Sequence, residues 1–228
     1  MTDDDASFPV RVLRKWHEAE GVVGLELVAF DGGKLPAFMA GGSLELTLPG
    51  GIARSYSIAN APTERHRYLL AVLREPASLG GSAAVHERLR EGDVLPARGP
   101  WDDFPLAAGA VHSLLLAGGI GITPLVAMAH QLYRQGAPFT LHYAARGVHA
   151  AAFAAQLRAA PYAHRVCWHF SHRGVGERLD FTAALARVPW LSHVYACGPT
   201  AFVAQAVEAA RRCGWPEERL HIEAFGTR

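Results

Sequence analysis

The spacing of hydrophobic residues changes near residue 108. Before that point the apolar runs are short, rich in β-branched or aromatic residues, and separated by glycine and proline clusters. The predicted strands are RVLRKWHEAE, VVGLELVAFD, SLELTLPG, RSYSIAN, RYLLAVLRE and DVLPARGP. Short strands at regular spacing with turn signals are typical of an antiparallel sheet closed into a small barrel. We therefore predict an antiparallel β-barrel over residues 1–108, interrupted by one helix in SAAVHERLR with Ser82 as its N-cap.

After residue 108, strands and helices alternate. The predicted strands are SLLLAG, FTLHYAA, HRVCWHFS, HVYACGP and HIEAF, and the predicted helices are TPLVAMAHQLYRQG, HAAAFAAQLRAA, LDFTAALARV and TAFVAQAVEAARRCGW. In the first helix Thr123 is the expected N-cap, Pro124 the first helical residue and Gly136 the residue after the C-cap. This alternation predicts a doubly wound α/β domain over residues 109–228, with a parallel sheet that binds ligands at the carboxyl ends of its strands.

Composition and charge exclude several classes of protein. The 228 residues are 50% hydrophobic and 19% charged, and the net charge of +1 gives no field that would attract nucleic acid or an anionic membrane. No apolar run approaches the ~20 residues needed to cross a bilayer, and the N-terminus MTDDDASF lacks a signal-peptide core, so we expect a cytoplasmic protein. Three scattered cysteines and unclustered histidines favour neither disulfides nor a metal or iron–sulfur site in this chain.

Two turns after predicted parallel strands carry candidate chemistry. In AGGIGITP, Gly119 and Gly121 let the backbone approach a ligand and Thr123 opens a helix, which is a typical arrangement for binding phosphate; the alternative is a tight turn that serves packing alone. Cys197, Gly198 and Pro199 end the fourth parallel strand, so the thiol is expected to face the same crevice. The alternative for Cys197 is a small buried residue before a turn.

A second candidate phosphate site lies in the predicted barrel. Gly80, Gly81 and Ser82 form a turn at a helix start, and Arg54 could supply the compensating cation. Tyr56 and Ser57 point to opposite faces of their strand, so one could lie against a flat ring while the other hydrogen-bonds its edge.

Taken in order, the segments RSYSIAN, LREPASLGGSAAVHERL, GPWDDFPL, LLLAGGIGITPL, FTLHYAAR, VYACGP and HIEAFG resemble the phthalate dioxygenase reductase family. This is a branch of the ferredoxin–NADP reductase superfamily, and the resemblance runs from about residue 8 to residue 226. It implies a reductase that takes hydride from NADH or NADPH onto a flavin and passes single electrons to an iron–sulfur acceptor of an oxygenase or demethylase. The Gly-Gly-Ser turn resembles the branch that uses FMN.

The resemblance also implies roles for individual residues. The FMN phosphate is expected at Arg54, Gly81 and Ser82, with Gly80 shaping the turn and with Tyr56 and Ser57 at the flavin ring. The dinucleotide is expected at Gly119, Gly121, Thr123, Cys197, Gly198 and Pro199, and the acidic-x-aromatic pair Glu223 and Phe225 is expected at the flavin. Ser57, Cys197 and Glu223 are the expected catalytic residues.

The sequence departs from the family pattern at two places. Relatives continue into a plant-type ferredoxin domain, whereas this chain ends at FGTR with no cysteine after Cys213, so the acceptor is expected on a separate protein or on a missing domain. Relatives that use NADH carry an acidic residue after the third parallel strand, where this chain has Ser171, His172 and Arg173 before Glu177. Arg173 could favour NADPH or be a solvated loop charge, and NADH is expected on the family pattern.

Two other functions remain open from the sequence. One is a stand-alone reductase of free flavins, which would need a loosely held flavin. The other is a flavin-binding module without dinucleotide turnover, in which the glycine loop and Cys197 would be idle.

Overall fold

The computed structural model describes residues 7–76, 80–171 and 178–225. The antiparallel strands are β1 Phe8–Ala19, β2 Val22–Ala29, β3 Ser43–Leu48, β4 Ile52–Ser57, β5 Tyr68–Leu73 and β6 Val94–Trp101. The parallel strands are β7 Ser113–Gly118, β8 Phe139–Ala145, β9 Val166–Phe170, β10 His193–Pro199 and β11 Leu220–Phe225.

The helices lie between these strands. They are α1 Gly81–Ala83, which continues into a π-helical turn at Ala84–Arg88, followed by α2 Ile122–Arg134, α3 Ala154–Ala159, α4 Phe181–Ala186 and α5 Thr200–Arg212. Short 3₁₀ turns occupy Gly119–Gly121, Val148–Ala150, Ala163–Arg165 and Glu217–Arg219. In the described part of the chain, no helix combines the length and the apolar character that a membrane span requires.

The six N-terminal strands form one antiparallel sheet in the order β4-β3-β6-β1-β2-β5. The two edge strands, β4 and β5, come into contact without forming a ladder, so the sheet curls into an open barrel. Its interior is a cluster of fully buried aliphatic side chains that includes Leu25, Leu27, Leu46 and Leu70. All six strands predicted from the short apolar runs are confirmed.

The five C-terminal strands form a parallel sheet in the order β11-β10-β7-β8-β9. The central strand β7 is buried along its whole length because both of its faces are covered. Leu115 and Ala117 belong to the core on the α2 face, whereas Leu114 and Leu116 pack in the cluster shared with α4 and α5. The predicted doubly wound α/β arrangement is confirmed.

The two sheets share one core. Ala59, Ala71 and Phe104 from the N-terminal half lie in the same buried cluster as Ile122 and Leu125 of α2. The antiparallel sheet therefore packs against the beginning of α2, which is the helix that follows the glycine loop.

Three helix predictions need correction. The N-cap of the helix after β5 is Gly80 rather than Ser82, and no side chain caps the N-terminus of this helix. The hydroxyl of Ser82 instead accepts a hydrogen bond from the amide of Glu75 at 3.1 Å. Helix α2 begins at Ile122 with Gly121 as its N-cap, so Thr123 and Pro124 are its second and third residues. The 3₁₀ turn before α2 moves the helix start, whereas Gly136 follows the C-cap Gln135 as predicted.

The predicted helix HAAAFAAQLRAA is also shorter than expected. Only Ala154–Ala159 is α-helical, and a 3₁₀ turn at Val148–Ala150 precedes it. Phe153, the N-cap, has φ of 58°, a left-handed conformation that interrupts the helix between the two pieces. Its amide donates to the carboxylate of Glu18 at 2.6 Å, which anchors the break to β1.

Candidate functional site

The strand order creates a crevice between the carboxyl ends of β7 and β10. From β7 the chain runs outward to β8 and β9, then crosses back to β10 and β11 on the other side of β7. In doubly wound sheets ligands bind at such a switch point, beyond the carboxyl ends of the two central strands. The candidate residues Gly119 and Cys197 both lie at this point, as the sequence predicts.

The glycines at the switch point serve two different needs. A Cβ on Gly121 would overlap the carbonyl group of Cys197, and a Cβ on Gly198 would lie 2.8 Å from the carbonyl oxygen of Gly118. These two glycines let the ends of β7 and β10 pass close to one another. Their role is therefore in packing, which is the alternative that the sequence leaves open. Gly119 differs, because it has φ of +54° and a Cβ placed on it would meet no atom of the described residues within 4 Å. Gly119 therefore borders open space.

Cys197 and Glu223 are register partners on β10 and β11, and the thiol donates to Oε2 of Glu223 at 3.4 Å. The sequence predicts that the Cys197 thiol faces the crevice, but this prediction is wrong because the side chain is fully buried. The carbonyl group of Cys197, rather than its thiol, lies next to the glycine loop. Burial, together with the neighbouring carboxyl group, raises the pKa of the Cys197 thiol. The thiol is therefore a neutral hydrogen-bond donor rather than a nucleophile.

Glu223 has an unusual proton affinity for a carboxyl group. Burial raises its pKa to about 7, and the negative charge of Asp103 acts in the same direction. Asp103 follows β6 and accepts a hydrogen bond from the hydroxyl of Ser43 at 3.0 Å. The site thus has a carboxyl group that can hold or release a proton near neutral pH.

A continuous line of residues joins the two sheets. Ser57 on β4 is the ladder partner of Ser43 on β3, and Ser43 leads through Asp103 to Glu223 and Cys197. The three expected catalytic residues, Ser57, Cys197 and Glu223, therefore lie at one boundary between the antiparallel and parallel sheets. Ser57 is 7% exposed, so its side chain is covered by other parts of the protein.

The second candidate site is built where β4 meets α1. Gly80 has φ of +96°, which only glycine adopts readily, and this conformation turns the chain into the helix. A Cβ on Gly81 would lie 2.8 Å from Cγ and 3.0 Å from Nε of Arg54, so the arginine side chain packs directly against this glycine. Arg54 is exposed, and its guanidinium donates to the carbonyl of Ala53 at 2.7 Å. Ser82 follows at the same turn.

Tyr56 shares a strand face with Arg54. It is half-buried against the core of the antiparallel sheet. Burial raises the pKa of its phenol to about 12, with the positive charge of Arg54 acting in the opposite direction. Tyr56 is therefore a neutral aromatic surface beside a cation.

The remaining candidates fall around the same two places. The hydroxyl of Thr123 is buried and donates to the carbonyl of Ile120 at 3.1 Å, so it stabilises the glycine turn from inside rather than reaching into the crevice. Pro199 and Phe225 are register partners at the ends of β10 and β11, and Phe225 packs on the α2-face core. His172, Arg173 and Glu177 lie outside the described residues.

The structure adds residues that sequence reasoning did not assign. Asp103 and Ser43 link β3 to Glu223, and the only sequence signal for this is the acidic pair in GPWDDFPL. Phe202 in the first turn of α5 packs against Gly118, where a Cβ would lie 2.7–2.9 Å from its ring carbons. The ring position could not be foreseen because it depends on how α5 crosses the end of β7.

Comparison with known proteins supports the same architecture. A vanillate O-demethylase oxidoreductase of Pseudomonas putida is 44% identical over 214 residues, which cover 94% of this chain and 67% of that protein. A second vanillate O-demethylase oxidoreductase, from Pseudomonas sp. strain HR199, is 42% identical and is matched over 91% of this chain and 65% of its own length. The solved structure of phthalate dioxygenase reductase is 33% identical, with a TM-score of 0.91 over 97% of this chain and 68% of that one.

The chain belongs to the phthalate dioxygenase reductase family. The relatives matched in this comparison are named as reductases or oxidoreductases of demethylase and dioxygenase systems. No protein-family model matches the chain. The chain spans just under two thirds, 65%, of the length of the strain HR199 relative.

Proposed function

We propose that this chain is the flavin- and nucleotide-binding part of a reductase that serves an oxygenase or demethylase. It takes hydride from NAD(P)H and passes electrons singly to an iron–sulfur acceptor. The observation that carries the proposal is the meeting of Cys197, Glu223 and the Gly119 turn beside Ser57 of the antiparallel sheet. The identity to demethylase oxidoreductases supports the same conclusion.

We propose that residues 1–108 bind the flavin and that residues 109–228 bind the nucleotide. The division falls in the connection between β6, which ends at Trp101, and β7, which begins at Ser113. It separates the antiparallel sheet from the parallel one.

The residues at β4 and α1 suit FMN as the flavin. Arg54 is an exposed cation that forms no ion pair with any described carboxylate, and it lies against a glycine turn that a side chain would fill. Gly80, Gly81 and Ser82 would hold the phosphate with it, since main-chain amides at such a turn favour an anion. Tyr56 would contact the flavin ring.

The residues at the switch point suit the pyridine nucleotide. Gly119 borders open space at the end of β7, and Gly121, Gly198 and Pro199 shape the walls of the crevice. Thr123 would support the turn from inside through its bond to Ile120. We propose NADH as the preferred donor.

A bound flavin accepts two electrons at once and releases them one at a time, which is the chemistry this reaction requires. The protein holds the reacting groups in place. Ser57 and Glu223 would contact the flavin, and Cys197 would position the nicotinamide side through the carbonyl that borders the glycine loop. Glu223 can hold a proton near neutral pH because it is buried beside Asp103.

The test is a visible absorption spectrum of the purified protein, recorded without oxygen before and after NADH is added. The expected result is a flavin spectrum that NADH bleaches, with FMN released on denaturation. A flavin spectrum that neither NADH nor NADPH bleaches would support a binding module without turnover instead. Failure to bind FMN after soaking would contradict the flavin assignment itself.

A further inference from the structure

The ammonium group of Lys15 makes three hydrogen bonds to main-chain carbonyls of a distant segment. Lys15 lies on β1, and its Nζ donates to the carbonyl oxygens of Val85 at 2.7 Å, His86 at 2.9 Å and Leu89 at 2.8 Å. An ammonium group has three N–H donors, so this arrangement uses its full capacity. The three carbonyls are at the C-terminal end of the helical segment 81–88.

This helix end is not capped by a local glycine. The last carbonyls of a helix lack partners within it, and a glycine in the left-handed conformation often follows to supply them. Here the C-cap Leu89 is extended, with ψ of 136°, and its amide reaches back five residues to Ala84 at 3.0 Å. Lys15 therefore caps this end from another strand, with Arg90 as a second donor to the Leu89 carbonyl at 3.0 Å, and the positive charge of Lys15 complements the negative end of the helix dipole.

A helical segment this short is not stable alone, so its position depends on tertiary contacts. The second half of the segment also contacts β5 and the residue after it: Nε2 of His86 lies 2.9 Å from the carbonyl of Val72, and Arg74 pairs with Glu87 at 2.8 Å. Lys15 holds the far end. The near end is the Gly80–Ser82 turn, against which Arg54 packs.

We propose that Lys15 is a positioning residue for the phosphate of the flavin. By fixing the C-terminal end of segment 81–88, Lys15 keeps the glycine turn at the opposite end beside Arg54. It acts without touching the ligand. The inference rests on the proposed binding of FMN at this turn, and it adds a residue from β1 to the phosphate-site residues named from the sequence.

The experiment compares FMN with riboflavin, which has the same ring and no phosphate. Dissociation constants of both are measured by flavin fluorescence on apoprotein prepared from the wild type, from Lys15→Met and from Lys34→Met. Methionine keeps the apolar stem of lysine and removes its donors. Lys34 is exposed and is the only other lysine in the sequence, so it is the matched control.

The expected result is that Lys15→Met weakens FMN binding about tenfold, because the phosphate-binding turn is no longer held in place, while riboflavin binding changes less than about twofold. Lys34→Met should leave both constants unchanged. An equal loss of FMN and riboflavin binding, or no loss of either, would overturn the inference. If Lys15→Met does not fold, Lys15→Gln is measured in its place, and it should likewise weaken FMN binding more than riboflavin binding.

The wild type separates this inference from the proposed function. If the wild-type protein binds FMN no better than riboflavin, the phosphate site itself is absent, and both the FMN assignment and the role of Lys15 fail. If the wild type prefers FMN and Lys15→Met keeps that preference, only the role of Lys15 fails.

Discussion

The thiol of Cys197 and the carboxyl group of Glu223 share a hydrogen bond of 3.4 Å between neighbouring parallel strands. Both groups are buried or half-buried, and burial raises the pKa of each. A thiol that stays protonated can donate to a carboxylate, and a carboxyl group with a pKa near 7 can exchange its proton at cellular pH. The pair is therefore a titrating unit in which the glutamate is the group that changes charge.

The raised pKa of Glu223 predicts a pH-dependent stability cost. In the unfolded chain the carboxyl group titrates near its ordinary pKa of 4.5, and in the folded protein it titrates near 7. Folding thus favours the protonated carboxyl group. The contribution of Glu223 to the free energy of unfolding is therefore fully present below pH 4.5 and is lost as the pH rises through 7. Glu223→Gln should stabilise the protein by about 1–3 kcal/mol at pH 8 and should change stability little near pH 4.5.

Urea unfolding of the wild type and Glu223→Gln at several pH values measures this difference. Glu208→Gln, at an exposed position on α5, is the control and should show no such trend. A constant difference between the wild type and Glu223→Gln across the whole pH range would contradict the assignment of the titration to Glu223.

Gly121 and Gly119 should respond very differently to the same added methyl group. A Cβ on Gly121 would overlap the main chain of Cys197. Because that main chain cannot move without separating β7 from β10, Gly121→Ala should lower the free energy of unfolding by about 3 kcal/mol or more. In Gly119→Ala the added methyl group would meet no described atom, so only the positive φ is unfavourable, and the free energy of unfolding should fall by about 1 kcal/mol. The free energies of unfolding in urea compare the two variants, and equal losses would show that the close strand contact is wrong.

Most of the fold could be predicted from the sequence because each half has its own hydrophobic period. The run SLLLAG is apolar throughout and matches β7, which is covered on both faces. The sequence predicts the first residues of the helices less accurately. Thr123 and Ser82 are good N-cap residues, yet their hydroxyls bond to Ile120 and Glu75 because a 3₁₀ turn and a glycine cap take the start of each helix.

The candidate site was predictable where it depends on turns and not where it depends on side-chain packing. Glycine at positions 80, 119 and 121 is visible in the sequence, and the turns are where the spacing predicts. The burial of Cys197 and the approach of Asp103 to Glu223 are not visible in the sequence, because the first depends on how β10 packs in the core and the second on where the chain runs after β6. Lys15 likewise contacts residues 70 to 74 positions away.

Arg54 should be needed for FMN and not for riboflavin. The guanidinium packs against Gly81 and forms no ion pair with a described carboxylate, so a phosphate would be its charged partner. Arg54→Ala should weaken FMN binding about 10- to 100-fold, as for loss of a hydrogen bond to a charged group. Fluorescence titration measures this, with Arg134→Ala on the exposed end of α2 as the control. Unchanged FMN affinity in Arg54→Ala would remove Arg54 from the phosphate site.

The three cysteines should separate into two classes in a thiol assay. Cys197 is fully buried and its pKa is raised, whereas Cys167 and Cys213 are partly exposed. Since the thiolate is the reactive form, Cys197 should react with a disulfide reagent at pH 8 on the order of 10²-fold more slowly than the other two. Cys197→Ser should leave the native reaction unchanged and lower the denatured total from three thiols to two. Rapid reaction of all three thiols in the native wild type would mean that the crevice is open to Cys197 and that its bond to Glu223 is broken for much of the time.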